Sequence, residues 1–187
     1  MTTLSESEEL YELSGKEALM WLEKAQGHRY CAGILKNHVL EMVGNNTPAW
    51  SRRIETLGVV SSTLLLLGLA FENLIKGVYV ARNPTLVDRT RLDRSLWKAD
   101  GGHGITDFAK ALMKLAPEEE ELLDRLQEYV VWAGRFPIPT KSGRYHQNLS
   151  PVNKHQFSTA DFEVADRLFE KLKERLIKYR EAQSAGP

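Results

Sequence analysis

The 187-residue chain predicts an all-α fold, an up-and-down helical bundle built around one long central buried helix. Three observations carry this expectation. Apolar residues recur at three- and four-residue spacing over most of the chain, helix starts and stops punctuate it, and no stretch has the alternation that a half-buried strand requires. The run Trp50 to Arg82, WSRRIETLGVVSSTLLLLGLAFENLIKGVYVAR, is the longest strongly apolar segment and supplies the central helix. A helix apolar nearly all round is buried in a protein core. Its apolar centre, Leu57 to Phe71, is interrupted by Ser61, Ser62 and Thr63. It falls short of the roughly 20 apolar residues of a bilayer span, so no membrane partner is expected.

In chain order, Glu6, Glu8 and Glu9 suit the positive end of a short helix from Ser5 or Ser7. Ser14 and Glu17 fit a capping box, from which Leu19, Trp21, Leu22, Ala25, Ile34 and Val39 continue at helical spacing to about Val43. Gly44 to Pro48 is a stop and turn. Within the central helix Gly58, Gly68 and Gly77 each cost about 1 kcal/mol relative to Ala. They predict close contacts, although they point in different directions. Asn83 and Pro84 end the helix, and residues 85–104 are polar and punctuated, with room for one turn around Leu92 to Trp97. A further helix begins near Thr106. Pro117, followed by Glu118 to Glu121, opens another that runs to Gly134. Phe136 to Ser158, with Pro137, Pro139 and Pro151, reads as a long loop. Ser158, three residues before Asp161, then starts a last helix that reaches about Arg180, and the tail AQSAGP is expected to be disordered. The domain reading is an N-terminal extension over 1–13, a single helical domain over 14–182 and a disordered tail over 183–187.

Lys plus Arg and Asp plus Glu both number 25, so no global charge draws the chain to nucleic acid or membrane, and any such partner must be read by a local patch. The single cysteine, Cys31, excludes an intrachain disulfide framework, and the opening MTTLSESEEL is acidic and polar, unlike a secretory leader. A cytoplasmic protein is expected.

His28, Cys31, His38 and Glu41 share the first long helix, but the helical step spreads them over more than a third of its circumference. Glu-x-x-His, the pattern of di-iron bundles, is absent. Neither a metal nor a cofactor is expected. DGGHG, Asp100 to Gly104, opens onto a helix N-terminus, a place that receives phosphate, yet it lacks the P-loop pattern. Its alternative is a flexible turn whose histidine packs or caps. The loop over 136–158 holds Lys141, Arg144 and Lys154, with His146 and His155, and interleaves Phe136, Tyr145 and Phe157 without an acidic residue. That composition suits a phosphate-and-base binding surface. A solvated loop pairing with Glu118 to Glu121 is the alternative.

The succession AFENLIKGVYVAR, GHGITDFAKAL and ELLDRLQEYVVWAGRFPIP, over about residues 50–140, resembles the HEPN superfamily of small helical-bundle proteins. The resemblance implies an up-and-down α-bundle, often a homodimer, found in toxin–antitoxin pairs, antiviral defence and RNA processing. Many members are metal-independent ribonucleases that carry an arginine, four to six residues, and then a histidine. Here Arg94 and His103 are separated by eight residues, Arg135 and His146 by ten, and Arg144 and His146 by one, so that signature matches no pair. What does match is Glu72 with Lys76, His103 of the GH step and Arg135 of the GRFP step. Facing one another, they would form a polar site in an apolar core; the alternative is a buried network that fixes helix register.

Three functions follow. The first is a module binding RNA or nucleotide through Lys76, Arg135, Lys141, Arg144, His146 and Lys154, alone or beside a partner protein, without strong nuclease activity. The second is a metal-independent ribonuclease or phosphodiesterase with a diverged site, in which His103 and Glu72 are the catalytic candidates. The third is an interaction scaffold or antitoxin-like partner.

Overall fold

The computed structural model describes residues 6–44, 50–93, 102–135 and 158–184. In chain order these form α1 (Glu6–Lys16), α2 (Ala18–Gly44), α3 (Trp50–Arg82), α4 (Ile105–Leu112), α5 (Pro117–Glu128) and α6 (Thr159–Ser184). Among the described residues the nearest thing to a strand is one isolated antiparallel pairing of Val87 with Leu92. α3 is the spine of an all-α bundle. α2 lies along one side of it and α6 along another, while α4 and α5 close the remaining face.

The core is built where these faces meet. Phe71, Leu74 and Ile75 of α3, Leu122 and Leu126 of α5, and Leu168, Phe169, Leu172 and Leu176 of α6 are all essentially unexposed. Burying each such side chain stabilises the fold by roughly 1.5 to 3 kcal/mol relative to leaving it in water. The rings of Phe71 and Phe169 meet edge to face at 6.0 Å. Leu57–Arg82 is in fact long and apolar enough to cross a membrane by length and composition, contrary to the shorter span read from the sequence, and half of its most apolar window is buried inside the bundle.

Gly68 and Gly77 are close-contact positions, as their cost predicts. A Cβ on Gly77 would lie 2.7 Å from Trp21 Cβ and 2.9 Å from Leu176 Cδ1, and one on Gly68 would lie 3.0 Å from the Leu126 carbonyl oxygen. Gly58 corrects the expectation, since a Cβ there meets nothing within 4 Å.

The helix ends follow mostly local chemistry. Ser158 and Asp161 cap α6 reciprocally: Asp161 Oδ2 accepts from the Ser158 amide at 2.7 Å, and Ser158 Oγ accepts from the Asp161 amide at 3.4 Å. At α5, Glu119 Oε2 accepts from the Ala116 amide at 2.9 Å. The proposed box at Ser14 is not formed, because α1 runs through it to Lys16. Glu17 instead starts α2, its Oε1 accepting from the Leu19 amide at 3.0 Å. The last helix also outlasts its prediction, with Ala182 to Ser184 of the supposed tail continuing it. After Glu128 the chain widens into a π turn over Tyr129–Ala133, closed by the Gly134 amide on the Tyr129 carbonyl at 3.0 Å. This turn inserts a residue into the helical register, which a fixed period cannot show.

Candidate functional site

The polar centre of the bundle forms where α3 passes the turn before α4. Glu72 and Lys76 are one helical turn apart on α3, and each side chain is only 9% exposed. The Lys76 ammonium bonds Glu72 Oε1, and the other carboxylate oxygen meets His103 Nδ1 at 2.9 Å. The His103 side chain is 29% exposed, so the cluster runs from the core to the surface through this ring.

The GHG step makes that placement possible. Gly102 has φ 96°, a left-handed conformation that costs glycine nothing, and Gly104 takes the N-cap position of α4 with no side chain to cap it. The cap comes from another helix: Gln127 Oε1 of α5 accepts from the Thr106 amide at 3.3 Å. Thr106 Oγ1 is buried beside it without a hydrogen-bond partner.

Burial disfavours charge on Glu72, but the hydrogen bonds from His103 and Lys76 outweigh it and hold the carboxyl below its ordinary value. At Lys76 burial is again the largest influence and here it wins over the bond to Glu72, so the ammonium is lowered as well. The difference has a simple origin, since the carboxylate is stabilised by His103 in addition to Lys76. An ionised Glu72 can only accept, which makes His103 Nδ1 the donor and leaves Nε2 as the remaining nitrogen. In the neutral ring Nε2 accepts a proton; in the imidazolium it donates to an anion. A carboxylate fixing an imidazole tautomer in this way is the arrangement found in His–carboxylate catalytic pairs.

His28 of α2, not expected at this site, is half-buried and feels the Glu72 charge. Burial and then the Lys24 ammonium lower its pKa against that pull. A signal existed: Ala25 and Ala32, three residues before and four after, are both buried, which turns His28 toward α3. Gln127 gave no such signal, because its role depends on where α4 ends up.

Glu72, Lys76 and His103 thus come together as expected, and Arg135 does not join them. It is exposed just past the π turn and donates from Nη2 to the Val131 carbonyl at 2.8 Å, and its charge is not among those acting on Glu72. Lys141, Arg144, His146 and Lys154 lie outside the described residues. Among the described residues no three His, Cys, Asp or Glu side chains converge as a metal site. No protein-family model, curated protein or solved structure matches the chain.

Proposed function

We propose that this is a HEPN-like cytoplasmic module that binds a nucleotide or RNA, in a toxin–antitoxin, defence or RNA-processing setting, without strong nuclease activity. The observation that supports it best is the meeting of the Glu72–Lys76 pair of α3 with His103, 31 residues on, in one hydrogen-bonded cluster that reaches the surface. In the form with both ring nitrogens of His103 protonated, the imidazolium and Lys76 around one carboxylate would give the cluster a net positive charge next to solvent. An imidazolium Nε2–H there is suited to a phosphate oxygen. Arg135 and the basic residues Lys141, Arg144, His146 and Lys154 supply further cationic contacts in this reading.

Affinity for a labelled short single-stranded RNA should fall steeply with salt, each neutralised phosphate adding roughly 0.7 to the logarithmic slope. Replacing Arg144 and Lys154 together with Ala should flatten that slope, as measured by fluorescence anisotropy, with ATP as a competing probe. Absence of binding to RNA and ATP at low salt removes this reading and leaves the scaffold.

The Glu72–His103 bond favours one second reading, metal-independent phosphodiester cleavage with His103 Nε2 as the proton acceptor. Cleavage needs that atom within about 3 Å of the proton it removes. Cleavage of RNA in the presence of EDTA that disappears in His103→Ala would establish it. We expect little or none.

A further inference from the structure

Along the N-terminal half of α3, α2 and α6 stand apart and leave two adjoining clefts. The wider, about 580 Å³, has polar walls that include Asn37 and Asp166. The narrower, about 250 Å³, is walled mainly by Val39 and Leu40 of α2 and Val60 and Leu64 of α3. Lys36 and Phe162 line both clefts, and the Lys36 ammonium stands 4.5 Å from the centre of the Phe162 ring. Among the described residues this ammonium has no carboxylate and no hydrogen-bond acceptor. The acids nearby are already engaged: Arg29 holds Asp166 at 2.7 Å, and Arg125 holds Asp161.

We propose that these clefts bind a small aliphatic carboxylate, its chain in the narrow cleft and its charge on Lys36 where the two clefts meet. The ring faces one side of the ammonium and leaves N–H donors for an anion. A neutral apolar ligand would leave that charge uncompensated, and an inorganic anion would leave the apolar walls wet. A molecule with an apolar arm and an anionic end answers both. The narrow cleft lies just under the roughly 300 Å³ at which pockets for drug-sized ligands begin, so the arm is short. Neither Glu72 nor His103 lines this site, so RNA or nucleotide binding can fail without touching it.

Isothermal titration calorimetry of the full chain with sodium octanoate tests the proposal. Saturable binding is expected with a Kd below about 1 mM. Hexanoate, shorter by two methylenes, should bind about tenfold more weakly. Lys36→Met keeps the apolar stem and removes the charge. It should weaken octanoate by about tenfold and leave binding of octan-1-ol unchanged, a contrast that misfolding would not give. Leu40 is 47% exposed, and Leu40→Glu sets a carboxylate one helical turn from Lys36. That variant should lose octanoate binding while keeping its circular dichroism spectrum. Absence of saturable octanoate binding at low millimolar concentration would overturn the proposal. So would octanoate binding that both variants leave intact, or inorganic phosphate binding as tightly as octanoate, since the apolar walls would then contribute nothing.

Discussion

Glu72→Gln is expected to destabilise the fold by about 3 kcal/mol, because it leaves the Lys76 ammonium buried without its carboxylate. The amide keeps the shape of the side chain, so the loss isolates charge from packing. Glu72→Gln/Lys76→Met should recover most of it, since an apolar residue of similar volume needs no counter-ion. Urea unfolding midpoints measure both, and a single variant as stable as the wild type would show that the pair contributes nothing. Acid titration supplies a second readout. The folded pKa of Glu72 is lowered, so its stabilisation is present above the ordinary value of 4.5 and is lost as pH falls through the folded value. The lowered pKa of Lys76 acts in the opposite sense, costing stability wherever the ammonium is charged and ceasing to do so on the alkaline side. Glu72→Gln should therefore flatten the acid limb.

Gly77→Ala should cost about 2 kcal/mol, the usual penalty of overpacking, even after the gain of about 1 kcal/mol in helix propensity. The added methyl would stand 2.7 Å from Trp21 Cβ. That atom is fixed to the α2 backbone and cannot rotate away, so relief requires α2 to move off α3. Gly27→Ala makes the opposite test on the same pair of helices. With nothing near its Cβ, it should raise the thermal midpoint of dilute protein, by a gain of up to about 1 kcal/mol. Equal effects of the two substitutions would contradict the α2–α3 packing described above.

What the sequence disclosed divides along the range of the interactions involved. α3, the Pro117 start of α5 and the Ser158–Asp161 cap were legible because each is decided within a turn or two of chain. The Glu72–Lys76 pair was legible for the same reason, at four residues. His103 lies 31 residues from Glu72, beyond any helical period, and entered only through the family resemblance. The break at Glu17 was missed because Ser14 offers an equally good local cap, and tertiary contacts choose between them: Trp21 Nε1 donates to the Gly15 carbonyl at 2.8 Å, holding α1 against α2. The π turn was missed because Gly134 tucks against Leu65, a contact that no local pattern contains.

α4 is only eight residues long, and both its ends are finished by other helices: Gln127 of α5 receives the Thr106 amide, and Arg175 of α6 donates to the Leu112 carbonyl at 2.8 Å. A helix this short does not persist alone in water. Its end bonds therefore depend on α5 and α6 being docked, and hydrogen exchange of its amides is expected to quicken in any variant that loosens either helix. His103 stands immediately before α4, so the Glu72–His103 bond is completed only in the finished molecule. The Glu72–Lys76 pair is local to one helix, whereas the position of the imidazole is only as firm as the docking of the two helices that hold α4.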